Sequence, residues 1–400
     1  MANQVKEDIA LQIMVGSKIR ELRQFKGMHA AELARISQIS PSQLSKIENG
    51  KATISIKVLN SLCKILNRPL SYLFQSEKET PRILGTLNTV KGPENKGVEW
   101  FSKEIIRTTK GGFKLVPMWA TKFGSSMDQI EILRQGGIDL FIGDAFAFQR
   151  FSPVLKMLSV PYSFSSNDHL RFFLESDYVY QNVMKPLRES GIRIINKKWN
   201  WLRGIEMCLV SHKPIIGPDQ VKGLRVRISS SGSAAGCFWE ELGAKPIVIP
   251  WHKVKPALAK REIDLLPTLK SFLYPLGFCK YTKYITLLDD TGANLAVAMS
   301  ELRYMNLPIS MYQNLEDACG RAGDRFSSMV QESEIENEKR NMAEHKATYL
   351  KVDVAPWKEV AHRIRARLLK KGELSSEAWE EIKRLNPSVK VKTQDKNNIH

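Results

Sequence analysis

Cysteine is scarce in this 400-residue chain, and Cys63, Cys208, Cys237, Cys279 and Cys319 are scattered without a single C-x-x-C. That spacing excludes a zinc ribbon or a dithiol redox pair, and an odd, unclustered set suits a reducing compartment. Histidine is also sparse: His169, His212, His252 and His345 show no ligand spacing, so no metal is expected. No apolar run approaches the ~20 residues needed to span a bilayer. The opening MANQVKEDIALQIMVGSK has acidic residues where a secretory leader is basic, and it lacks an apolar core. No signal peptide is therefore expected, which points to the cytoplasm. There is no glycine-rich phosphate loop, no G-x-S-x-G and no H-E-x-x-H, so neither a cofactor nor catalysis is expected. Acidic residues are in short supply, with 42 Asp and Glu against 60 Lys and Arg, a formal charge of +18. Such an excess favours polyanions, nucleic acid first among them. Apolar content of 43% and charged content of 26% are those of a globular protein, and the length allows two or three cores.

The most informative stretch is AELARISQISPSQLSKIENG, residues 31–50. It reads as two short helices around the turn Gln38-Ile39-Ser40. Ser40-Pro41 opens the second helix as a hydroxyl cap followed by proline at the first helical position. Leu44 and Ile47 then point one way, and Ser42, Gln43, Ser45 and Lys46 the other. A short, polar, uncharged-to-basic outer face suits a major groove, where Gln and Ser bond base edges and Lys reaches guanine or phosphate. From about Val15 to Phe74 the chain resembles the DNA-binding domain of the phage-repressor (Cro/C1, or XRE) family. The opening VGSKIRELRQFKG, the pair AELA and ISPSQLSKIENG, and the closing run through Asn67-Arg68-Pro69-Leu70 carry the resemblance. It implies double-stranded DNA as partner, bound by a dimer, with Arg20, Arg23, Ser42, Gln43, Ser45, Lys46 and Asn49 as the contact set. His29-Ala30 stands where the family often has Thr-Gln, removing one phosphate brace.

The polar run QSEKETPR, ending in proline, separates this domain from the rest. Beyond it, strand-like runs (RILGTLNT, GFKLVPMW, GGIDLFIG, LRVRIS, AKPIVIP) alternate with helical patterns near 96–109, 125–135 and 232–242. The alternation predicts an α/β domain of largely parallel strands covered by helices. Residues 307–346 lack a strand pattern and predict long helices, and the GSSM at Gly124 predicts a helix cap. Predicted domains are 1–75, a linker over 76–82, 83–385, and a polar tail over 386–400.

The segments GGIDLFIGDAFAFQRFSP, VPYSF, KPIIGPDQVKGLRVR and GAKPIVIPWHKVKPALAKREID, taken in that order, resemble the extracytoplasmic solute receptors of TRAP transporters, the dicarboxylate-receptor type. The resemblance covers about 84–363 and implies a periplasmic-binding-protein fold: two α/β lobes that clasp a small organic acid. It assigns the carboxylate-binding arginine to Arg227 in KGLRVR, an acidic pocket residue to Asp144, and an aromatic one to Trp251. Trp199, Trp201 and Trp239 read as core. Where the family has G-x-x-N-P, this chain has Leu265-Leu266-Pro267-Thr268, leaving Thr268 as the substitute. A second family arginine aligns with Glu206, although Arg203 lies nearby. A cleft with Asp144, Glu206 and only Arg227 would be net negative. That leaves two expectations: a zwitterionic ligand, or an internal pair of Glu206 with Arg203 or Arg225 and an ordinary organic acid as ligand.

Together these readings predict a ligand-responsive transcriptional regulator, homodimeric or larger, with no membrane partner. Two alternatives stand beside it. One is an enzyme on a binding-protein fold, for which Asp144 and Glu206 are the only acid–base candidates. The other is a DNA-binding protein whose large domain only oligomerises.

Overall fold

The computed structural model describes residues 2–74, 81–86, 93–118, 123–229 and 233–387. The linker residues 76–80 and the tail beyond 387 lie outside them. The amino-terminal domain is all helical: α1 (Ala2–Phe25), α2 (Ala30–Ile36), α3 (Pro41–Glu48) and α4 (Ile56–Leu66), closed by a 3-10 turn over Leu70–Phe74. Ile19, Leu22, Leu33, Leu44, Leu62 and Leu73 fill its core, which removes enough apolar area from water to hold helices too short to persist alone. Ser40 caps α3 by accepting from the backbone N–H of Gln43 at 3.0 Å, and Ser55 caps α4 likewise. Where α1 crosses the end of α3, Gly50 has φ +63°, and a Cβ there would lie 2.6 Å from the Cα of Ile13. Only glycine permits both.

The large domain begins with β1 (Pro81–Thr86), so Pro81 and Arg82 of the predicted linker belong to a strand instead. Then follow α5 (Pro93–Thr108), β2 (Lys114–Met118), α6 (Ser126–Arg134), β3 (Leu140–Asp144), α7 (Asn167–Leu174), α8 (Asp177–Val179), α9 (Lys185–Glu189) and β4 (Ile192–Ile194). The second lobe adds β5 (Leu202–Ser211), β6 (Arg225–Ile228), α10 (Ala234–Glu241), β7 (Lys245–Val248), α11 (Trp251–Ala259), β8 (Leu265–Leu269) and α12 (Leu273–Leu276). The chain ends with β9 (Tyr284–Ser300), α13 (Glu301–Met305), α14 (Ile309–His345), β10 (Thr348–Lys351), α15 (Ala355–Lys370) and α16 (Ser376–Leu385). Ser125 and Asp128 form the cap expected before α6, and the helical reading of 307–346 resolves into the single 37-residue α14.

The strand order is β2-β1-β3-β9-β5-β8-β6-β7, with β4 and β10 also on β9. The βα units supply parallel pairs, β1 with β2 and β3, and β6 with β7 and β8. The expectation of largely parallel strands needs correction, because β5 runs antiparallel to β8 and β9, and β9 runs antiparallel to β3 and β4 as well, though parallel to β10. β9 crosses between lobes and β5 pairs within the second, so β-α alternation does not register them. The first half of β9 pairs with β5 in one lobe and its second half with β3 in the other, which makes β9 the strand through the hinge.

The helical domain sits on the first lobe. Arg68 Nη1 donates to the carbonyl of Met305 and Ser71 Oγ to Asn306 Oδ1, each at 3.0 Å. Ile309 packs against the cores of both domains.

Candidate DNA-reading helix and acid-binding cleft

On α3, Leu44 and Ile47 are buried, while Ser42, Gln43, Ser45, Lys46 and Asn49 are exposed, so the predicted base-facing side chains share one open face. Asn49 is braced: its Nδ2 donates to the Ser45 carbonyl at 2.8 Å, and its Oδ1 accepts from Arg20 at 2.6 Å. Arg20 stays partly exposed beside this face. Arg23 does not join it. Its guanidinium is bound at both ends to buried Glu48, at 2.7 and 3.0 Å, and donates to the Met28 carbonyl. Arg23, one of the predicted DNA contacts, thus serves as a tie between α1 and α3. Helical spacing shows only that Arg23 shares a side with Arg20, not what occupies it.

In the large domain, Asp144 ends β3 and Glu94 lies in the first turn of α5. Both receive Arg203 of β5, through Nη1 to Asp144 Oδ2 at 2.7 Å and through Nε and Nη2 to Glu94 at 3.3 Å. Burial alone lowers the Arg203 pKa, but the two carboxylates more than offset it, so the guanidinium stays charged. Glu94, fully enclosed, is pushed upward by that burial despite Arg203. On the opposing lobe, Arg227 of β6 donates Nε to the Ile249 carbonyl at 3.0 Å and lies 5.2 Å from the Trp251 ring. Trp251 packs on Phe272 with ring centres 5.5 Å apart, and Arg203 lies 4.9 Å from Phe272. Two aromatic rings thus stand between two guanidiniums. Arg227 forms no ion pair among the described residues; burial pushes it down to about 10, opposed only by the more distant Asp144. A half-buried fork-shaped cation without an ion-pair partner has the geometry that a carboxylate matches.

Thr268 is buried, and its Oγ1 has no partner among the described residues; Thr86 Oγ1 at the end of β1 and Asn95 Oδ1 beside Glu94 share that condition. Such atoms are served by a ligand or water. Glu206 does not pair with Arg203 or Arg225. Arg225 is held by Asp264 at 2.8 Å, and Glu206 faces Lys270 at 3.7 Å, itself 3.1 Å from Glu338 of α14. Burial raises the Glu206 pKa and Lys270 opposes it. The expected net-negative cleft is corrected accordingly: Asp144 and Glu94 face Arg203 and Arg227, a balanced set, and the charge argument for a zwitterionic ligand falls. Sequence reasoning missed Glu94 and Phe272. The only available signal was the Pro93-Glu94 helix start. A cavity of about 690 Å³, lined by none of these residues, opens between Lys96 of α5, Lys255 of α11, Tyr274 of α12 and Arg340 of α14. Among the described residues, no group of three or more His, Cys, Asp or Glu is placed to hold a metal, and no helix is long and apolar enough to cross a membrane.

This is a helix-turn-helix unit joined to a hinged, two-lobed solute-binding architecture. The family model described as "Bacterial extracellular solute-binding protein, family 7" matches residues 84–371, and one described as "Helix-turn-helix" matches 19–73. The chain belongs to that solute-binding family, with a helix-turn-helix domain at its amino-terminal end. Similar relatives include the 2,3-diketo-L-gulonate-binding periplasmic protein of Escherichia coli, 25% identical over 58% of this chain and 70% of the relative. The sialic acid-binding periplasmic protein of Vibrio cholerae is 21% identical over 63% and 77%. Among solved structures, a TRAP solute-binding protein of Shewanella oneidensis with bound succinate aligns at TM-score 0.70 and 15% identity, covering 77% of this chain and 99% of its own. One from Sulfitobacter with bound β-D-galacturonate aligns at 0.69 and 18%, covering 76% and 98%.

Proposed function

We propose that the protein is a one-component transcriptional regulator of the cytoplasm: α3 reads operator DNA in a homodimer, and the cleft binds a small carboxylate metabolite that alters the grip on DNA. The cleft acts as a receptor and not as a catalyst. The observation that carries this reading is Arg227, a half-buried guanidinium without an ion pair among the described residues, in a chain that also presents Gln43, Ser45 and Lys46 on an open helix face. The solutes named for the relatives and the solved structures, 2,3-diketo-L-gulonate, sialic acid, succinate and β-D-galacturonate, all carry a carboxylate. The carboxylate would take the free fork of Arg227, and Thr86, Asn95 and Thr268 would bond the rest of the molecule.

Regulation then follows from linkage. The acid favours the closed lobes, and closure displaces one helix-turn-helix unit relative to its partner. Dimers of this type read half-sites ~34 Å apart, so a shift of a few ångströms misfits one of them. A coupling of about 1–3 kcal/mol suffices for a 5- to 150-fold change in affinity. The test is to select a preferred DNA fragment, identify an acid that binds by calorimetry, and titrate DNA affinity with and without it. At least a fivefold change is expected, absent in Arg227→Gln. An acid that binds the cleft yet leaves DNA affinity unchanged removes the sensor claim.

A further inference from the structure

The junction between the two domains encloses a second cavity, of about 390 Å³, walled by α1 and the end of α4 on one side and by α9, β4, α13 and α14 on the other. Its charged lining is Lys26, Arg68, Arg188, Arg193, Lys197 and Glu316. Two of the five cations are already matched. Arg193 forms a bidentate pair with Glu301 at 2.7 Å, and Lys197 pairs with Glu316 at 2.7 Å, which also accepts from Tyr304 Oη. Three are not matched by any acid among the described residues. Lys26 donates only to the Ile65 carbonyl, and Arg68 donates to the Met305 carbonyl while lying 4.4 Å from the Tyr312 ring. Arg188 has a buried Nε with no partner. Burial lowers the Arg68 pKa, with Tyr72 and Tyr304 opposing it and Arg193 and Glu301 acting in opposite senses, and burial and Arg68 lower that of Lys26.

We propose that this junction is a second ligand site, for a small phosphate-bearing metabolite. Three unmatched cations reach the cavity from α1, from the turn after α4 and from α9. That convergence suits a tetrahedral dianion, whereas a planar carboxylate is served by one fork. The volume falls in the range of metabolite sites and far exceeds an inorganic ion's needs, and Tyr304 and Tyr312 offer apolar wall beside the charges. Because Lys26 and Arg68 belong to the DNA-reading domain and Arg188 to the first lobe, the ligand bridges the two. It cancels repulsion across the junction and fixes the reading head in its docked position. This site is separate from the cleft, and its occupancy does not depend on Arg227.

The test uses the full chain and sodium pyrophosphate as the probe, in calorimetry at constant ionic strength. One site per chain is expected, weakened at least tenfold in both Arg188→Gln and Arg68→Gln and unchanged in Arg227→Gln and Lys46→Gln. Should Arg68→Gln loosen the junction, Arg188→Gln decides alone, since its side chain supports no other described contact. No binding to the parent chain, equal binding to Arg188→Gln, or loss in Arg227→Gln or Lys46→Gln overturns the proposal. Competition by tricarballylate as strong as that of pyrophosphate overturns the phosphate assignment.

Discussion

At the scale of single residues, the cleft separates two arginines by what surrounds them. Arg203 is saturated by Asp144 and Glu94, whereas Arg227 has only a carbonyl. Arg227→Lys should therefore leave the fold as stable as before while weakening acid binding at least about tenfold, because an ammonium cannot make the two parallel bonds. Thermal unfolding and calorimetry check the two halves. A second buried group carries a pH signature. Asp290 lies beside the left-handed Asp289 in the hinge strand, and its Oδ1 accepts from the backbone N–H of Tyr162 and Thr291 at 3.0 and 2.8 Å. Burial outweighs these bonds and Lys358, raising the carboxyl to about 6. An acid that holds its proton more tightly folded than unfolded loses stability as pH rises from about 4, the unfolded value, to about 6, and the loss is level above that. Asp290→Asn should flatten this slope and gain roughly 3 kcal/mol at pH 7, vanishing near pH 4. Urea unfolding across that range measures it.

At the scale of elements, α3 was legible in full because its information is local: a cap, a proline, two apolar residues three apart. The candidate cleft was legible only where one motif contains the residue, as with Arg227, Asp144 and Trp251, whose roles there are expectations. Arg203 lies 109 residues from Glu94 and 59 from Asp144, a separation that no local pattern spans. Glu206 drew the wrong partners because β5 shifts register against β9 on both sides of it, breaking the two-residue rhythm by which facing is read. The tie of Arg23 to Glu48, 25 residues on, was equally out of reach of a local pattern. Arg23→Gln should cost the helical domain about 1–3 kcal/mol and change the salt slope of DNA binding little, whereas Gln43→Ala should erode sequence preference and spare stability. Denaturation and salt titration separate the two. Gly50→Ala should cost roughly 2 kcal/mol, since it forces a left-handed alanine against the α1 backbone. Denaturation of the full chain, followed by tryptophan-independent circular dichroism of the helices, reads that loss.

At the scale of the whole molecule, α14 is the element that touches every part. Its first turns pack on the helical domain through Ile309 and Tyr312, with Phe25 against Tyr312. Its middle lies along α5, with Phe326 in the core of the first lobe. Its far end meets the second lobe through Glu338 to Lys270 and Asn341 to Tyr349. At 37 residues this rod is about 55 Å long at 1.5 Å per residue. Pivoted near its middle, a tilt of about 5° carries each tip roughly 2 Å in opposite senses over that length. If the coupling proposed above operates, a small swing of the far lobe would be delivered, as a lever delivers it, to the seat of the amino-terminal domain.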